Sequence, residues 1–266
     1  MTKPKSEEEK KSAGRRPRSI LDEMRTIAWA KDMMKRLDMK PTGLNELFAK
    51  EGSQKKEGLR FDMYHSGKRI PSDMNLNAIH QNERLARSRS VFETGPEENG
   101  NFVYFWMVFE NRYDELWKPI DRVMSSYMAD DSHNDRIDKL ACLVIPAGEW
   151  KEVCENGLFE FDPNKPVEIL IDDGGVVELK KLSAVIAMWR LSMLIRLGVT
   201  KMEYLLRCLL ESIPYRTLLQ EYGIYERVIL LIRALAVNHY VLAGDLDAAA
   251  SAFPITEEVI ENISQD

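Results

Sequence analysis

From Lys180 onward the 266-residue chain is a succession of apolar runs of helical length, cut at Gly198, Pro214, Gly223, Gly244 and Pro254. Apolar residues at helical spacing, separated by helix-ending Gly and Pro, leave a helical bundle as the expected architecture. The spacing predicts helices over 181–197, 200–212, 215–220 and 225–242, then 248–251 or 257–263, with Thr200 and Thr256 as caps. Ala184-Val185-Ile186-Ala187-Met188-Trp189 and Val228-Ile229-Leu230-Leu231-Ile232 are apolar nearly all round. Such helices are buried on several sides, inside a bundle or against another subunit, so a homodimer or protein partner through these helices is expected. No repeat of fixed period suggests a solenoid.

Charge divides the chain differently. Residues 1–90 hold 21 Lys and Arg against 13 Asp and Glu, net +8; residues 91–266 hold 16 against 30, net −14. This asymmetry points to a polyanion-facing part joined to an acidic body, the alternative being a solvated basic tail and a basic helix. Residues 1–18 have almost no apolar side chains and are expected to form a disordered basic arm, 19–90 a helical module, and 91–266 an acidic, mostly helical domain. In the arm, Gly14-Arg15-Arg16-Pro17-Arg18 partly resembles an AT-hook core, which would lay Arg15, Arg16 and Arg18 along a narrow minor groove. A solubilising tail explains the same residues.

Ser19 is placed to cap a first helix through residue 39, with Asp22 and Glu23 in its first turn and Lys35 and Arg36 near its end. Ile20, Met24, Ile27, Ala28, Met34 and Leu37 form one expected buried stripe, and Pro41 the stop. Thr42 would cap a short second helix with Leu44, Leu47 and Phe48 inward, and Ser72 a later one from Asp73 to about His80. Gly95-Pro96 and Asn99-Gly100 read as a linker. The aromatic stretch 102–128 predicts a helix that Pro119 could kink, with Phe102, Phe105, Trp106 and Phe109 as its packed face rather than a base-stacking platform. Strand character is confined to 141–173, with at most a small hairpin turning at Asp173-Gly174-Gly175 into Val176-Val177.

Leu47-Phe48-Ala49 closes the second helix, and Tyr64-His65-Ser66-Gly67-Lys68-Arg69-Ile70-Pro71-Ser72 then runs through an aromatic, a glycine, a basic pair and Pro-Ser. On these residues, roughly 27–80 resembles a divergent Cro/CI-type (XRE-like) helix-turn-helix domain. The segment departs from that pattern in a longer stretch between Ala49 and Gly67, in glycines at 52 and 58, and in His65 where an acid is usual. The resemblance implies a recognition helix over about 54–64 in the major groove of double-stranded DNA. Gln54, Lys55, Lys56 and Arg60 would be presented there, Gln54 suited to adenine and Arg60 to guanine, while Lys68 and Arg69 suit phosphate.

Covalent chemistry finds no support. No nucleophile elbow, phosphate-binding glycine loop, dinucleotide fingerprint or zinc-protease motif is present, so no catalytic residues, cofactor or metal are expected. Asp130, Asp131, His133 and Asp135 read as a polar loop and Asp172-Asp173-Gly174-Gly175 as a turn; a metal-dependent enzyme built on these acids is the weakest reading. His65 and His80 fall in the DNA-binding segment, in structural roles. Cys142, Cys154 and Cys208 are too widely spaced for a disulfide framework or zinc finger, no secretory or membrane-spanning stretch is seen, and a cytoplasmic location is expected. The expected protein is mainly α, a helix-turn-helix-like module followed by a helical bundle, a sequence-selective DNA binder regulating transcription. The competing reading is a non-enzymatic interaction adaptor in a mobile-element or phage-defence assembly.

Overall fold

Ser19 opens the first helix as its residue type suggests: its side chain accepts the Asp22 N–H at 3.0 Å, and α1 runs Ile20–Leu37. In the computed structural model, which describes residues 18–50, 59–124, 132–145 and 177–254, α1 ends at Asp38 in the left-handed region (φ 52°). Pro41 therefore starts the next helix instead of stopping this one, its fixed φ and missing N–H being tolerated in a first turn. That helix is α2, Pro41–Lys50, with Thr42 inside its first turn. Next come α3 (Phe61–His65), α4 (Asp73–His80) and α5 (Ser88–Thr94). Ser72 caps α4 by accepting the Asn75 N–H at 3.3 Å.

Asn99-Gly100, expected to be linker, is the turn of a small antiparallel hairpin: β1 (Glu97–Glu98) pairs with β2 (Asn101–Phe102), Glu97 opposite Phe102. Both turn residues have positive φ, 50° and 78°, the conformation that Asn-Gly favours in tight hairpins. The aromatic stretch is not one helix. It is irregular, with single 3-10 turns at Met107–Phe109 and Tyr113–Glu115, and becomes helical only in α6, Trp117–Met124. Phe105, Trp106 and Phe109 are buried as expected, but by folding the chain over the core, with the Trp106 indole N–H donating to the Val91 carbonyl at 2.9 Å.

The bundle follows: α7 (His133–Val144), α8 (Leu179–Ile195), α9 (Val199–Glu211), α10 (Ile213–Glu221), α11 (Tyr225–Ala243) and α12 (Leu246–Ser251). Residues 141–144, expected to begin the strand-like region, belong to α7; the hairpin proposed at 173–177 and the candidate helix 257–263 lie outside the described residues, except for Val177. Gly198 with φ 67°, not Thr200, opens α9. The described residues are thus mainly α-helical, with one two-stranded hairpin.

α8 is the axis of the bundle, every residue from Lys181 to Arg190 being buried. Arg190 is 1% exposed and donates 2.7 Å bonds to the carbonyls of Val108 and Glu110, which pins the irregular aromatic segment onto α8. The hairpin holds the start of α8: the Glu98 carboxylate accepts the N–H groups of Leu179 (2.5 Å) and Lys180 (3.0 Å), which satisfies donors a helix N-terminus leaves open. Burial pushes the Glu98 carboxyl above its ordinary range, against the pull of those two N–H groups.

The apolar residues form two clusters. A large one joins α6–α11 and the aromatic segment; a small one is built from Trp29, Ala30, Met33, Leu37, Leu44, Phe48, Phe61, Tyr64, Leu76, Ile79 and Leu85. α1 serves both. Met24, Ile27 and Ala28 face the large cluster, while Trp29, Ala30, Met33 and Leu37 face the small one, so the single expected stripe is two. Ile27 lies between the two parts: a Cβ at Gly67 would stand 3.1 Å from its Cδ1, and one at Gly223 3.0 Å from its Cγ2.

Candidate nucleic-acid interface

The small cluster is an aromatic nest. Phe61 stacks between Trp29 (6.1 Å between ring centroids) and Phe48 (5.6 Å), and Tyr64 meets Trp29 and Phe61 edge-on at 5.6 and 5.7 Å. Both Phe61 and Tyr64 are fully buried. Tyr64 Oη accepts a 2.9 Å bond from the Asn75 amide, and burial raises its phenol above the ordinary value. These contacts lay α3 flat on α1 and α2.

An exposed recognition helix running to Tyr64 is therefore corrected. Leu59 and Arg60 are not helical, Arg60 having φ −118° and ψ 71°, and α3 begins only at Phe61. The reason is local: Asn45 Oδ1 of α2 accepts the Phe61 N–H at 2.7 Å, which satisfies a donor at the start of the helix, and the inner face of the one turn that follows is packed. Gln54, Lys55 and Lys56 lie outside the described residues, as do Arg15 and Arg16.

Arg60 is exposed but engaged. Its Nε and Nη2 donate to the two Asp62 oxygens at 3.3 and 3.2 Å, and Asn45 donates to the same carboxylate at 3.3 Å. The Arg60 guanidinium holds the Asp62 carboxyl below its ordinary value. Contact between Arg60 and a guanine requires Asp62 to release it. Sequence reasoning missed this partner, although an acid two residues from the arginine is a visible signal. Other arginines of the module are matched in the same way: Arg36 to Asp32 (2.8 Å) and Glu97 (3.6 Å), Arg87 to Glu97 (2.8 Å), and Arg89 to Glu93 (2.7 Å) and Asp73 (3.3 Å).

The turn after α3 carries two more cations. Gly67 has φ 70° and sits against Ile27 and Glu23 of α1, so the glycine is required by both backbone and space. Lys68 is exposed and makes no ion pair among the described residues, and Arg69 is half-buried with its N–H on the Met63 carbonyl at 3.2 Å. Arg18 reaches this turn from the far end of α1, donating to the carbonyls of Gly67 (3.1 Å) and Lys68. A guanidinium on neutral carbonyls keeps its full charge. The structure thus brings together Arg18, Lys68 and Arg69, and seats Arg18, the last residue of the expected arm, beside the turn. Arg60 belongs to the opposite end of α3, about 7.5 Å away by helical rise. Preorganised cations of this kind suit phosphate oxygens and supply no covalent chemistry.

Ser132 is the helix cap of α7. Ser132 and Asp135 form a reciprocal capping box, and His133 Nε2 lies 2.9 Å from Ser192 Oγ; Asp130, Asp131, Asp172 and Asp173 are outside the described residues. Among the described residues no group of three or more His, Cys, Asp or Glu is arranged to hold a metal, and no helix is long and apolar enough to cross a membrane. No family model, curated protein or solved structure matches the chain.

Proposed function

We propose that the chain binds double-stranded DNA through its N-terminal module, as a regulator of transcription whose acidic helical domain provides self-association. The observation that carries this reading is the Arg18 bridge to the Gly67 and Lys68 carbonyls, which gathers three cations at the root of an arginine-rich arm. Lys68 and Arg69 act on phosphates and fix register, and Arg15 and Arg16 follow the minor groove from that anchor. Base selection falls to Gln54, Lys55 and Lys56. Arg60 contributes only after Asp62 yields it, so its role is secondary to the turn.

A duplex-affinity series over salt concentration tests the reading. Replacing Lys68 and Arg69 by Ala is expected to weaken binding for every sequence and to lower the salt slope by about 1 per lost phosphate contact. Lys55→Ala with Lys56→Ala is expected to weaken binding and also reduce discrimination between duplexes. Salt slopes unchanged in both variants overturn the assignment.

A further inference from the structure

α9 and α11 are antiparallel neighbours. At one end the Tyr225 hydroxyl donates to the Leu210 carbonyl at 3.3 Å; at the other Tyr240 lies close to Glu203, whose charge adds to burial in raising the phenol above its ordinary value. The end of α11 therefore stands beside the start of α9, which a three-residue corner, Arg196 to Gly198, joins to the end of α8. That end of the bundle carries six of the ten large apolar side chains exposed among the described residues. Leu194, Ile195 and Leu197 project from the α8–α9 corner, and Val241, Leu242 and Leu246 from the α11–α12 corner. Exposed apolar residues scattered singly need no explanation, but a contiguous group marks an interface.

Charge selects the occupant. Arg196 lies between Ile195 and Leu197, exposed and held in the left-handed region at φ 58°. Asp245 and Asp247 flank Leu246 and are exposed, Asp245 also capping α12 through the Ala248 N–H at 2.9 Å. Lys201, the next cation along α9, is already bonded to Asp138. One corner is thus apolar with a cation and the other apolar with two anions. They are complementary to each other, yet among the described residues no ion pair joins Arg196 to Asp245 or Asp247 within one chain.

A two-fold axis between them solves this. It lays each corner on the opposite corner of a second copy, so that apolar side chains face apolar side chains and Arg196 faces the aspartates twice. We propose that this end of the bundle is an isologous self-association surface whose partner is a second copy of this chain. The proposal names the surface of the self-association invoked above, and it stands or falls without DNA.

Sedimentation equilibrium of the full chain over a dilution series tests it. The wild type is expected to show a concentration-dependent dimer. Leu242→Asp, at a position 79% exposed, should leave helical content and melting unchanged while weakening the dimer about a hundredfold. Arg196→Asp and Asp247→Arg are each expected to weaken it about tenfold. Mixing those two single variants should restore dimerisation, because both contacts between positions 196 and 247 in the mixed dimer again join opposite charges. A monomeric wild type, a dimer indifferent to Leu242→Asp, or a mixture no tighter than its components overturns the proposal. DNA binding by a persistently monomeric chain would sink this surface and leave the duplex assignment standing.

Discussion

The two apolar clusters stabilise their parts of the molecule by different means. The small one rests on four aromatic rings, Trp29, Phe48, Phe61 and Tyr64, gripping helices as short as a single turn. The large one rests on a long central helix buried on every side from Lys181 to Arg190, with the Arg190 Nη1 held by two backbone carbonyls. Short helices gain little from their own hydrogen bonds, so ring packing decides where α3 lies; a long helix is fixed by its whole circumference. The lesson concerns signature residues. In and beside the small cluster, Tyr64, Gly67 and Ser72, which carry the helix-turn-helix resemblance, are occupied as core, close-contact and cap residues, and their neighbour Lys68 is the exposed cation of the turn.

The largest effect expected from breaking this contrast is Trp29→Ala. It removes the ring against which Phe61 and Tyr64 pack and should cost about 3–5 kcal/mol in denaturant titration. Because α1 also lines the large cluster, unfolding should remain one transition by both far-ultraviolet circular dichroism and tryptophan fluorescence; two separated transitions would show the clusters to be independent. Arg190→Met is the counterpart in the large cluster. It leaves the Val108 and Glu110 carbonyls without their donor and should cost about 2–3 kcal/mol, with hydrogen exchange rising in residues 105–113. Gly67→Ala forces a side chain into a left-handed backbone 3.1 Å from Ile27 and should cost about 1–2 kcal/mol. Its shift should reach tyrosine and isoleucine NMR signals in both clusters.

The smallest effect is a pH dependence. Burial, and then the Arg136 charge, hold His133 below its ordinary value of 6.5, against a weaker pull from the Leu197 backbone. The folded state thus favours the neutral ring. Stability carried by that ring is present above pH 6.5 and is lost as pH falls through that value, levelling once the folded form also protonates. His133→Gln should flatten this slope between pH 7 and 5, by less than about 1 kcal/mol since the ring is only partly enclosed. An unchanged slope would show that another group titrates there.

Much of the fold was legible because local chemistry settles it. Ser19 and Ser72 cap where their residue type and the following apolar spacing put them, and the bundle helices begin and end near Gly198, Pro214, Gly223 and Gly244. What escaped depends on tertiary partners. The spacing of Phe102, Phe105, Trp106 and Phe109 is helical, yet Arg190 from eighty residues away takes the carbonyls of Val108 and Glu110. Asn99-Gly100 was a hairpin signal taken for a linker because its strands are two residues each. At the candidate site, Lys68 and Arg69 follow from the turn chemistry, whereas the capture of Arg60 by Asp62 and the reach of Arg18 across forty-nine positions to Gly67 are matters of three-dimensional arrangement.

Ile27 gives the arrangement its last consequence. One side of this residue is pressed by the glycine beside Lys68, the other by the glycine that leads into α11, and a methyl group on either flank would meet it at 3.1 or 3.0 Å. It is a wedge shared by the two halves of the molecule. A displacement of the turn at Gly67 has to be taken up by Ile27, and through it by the packing beside Gly223.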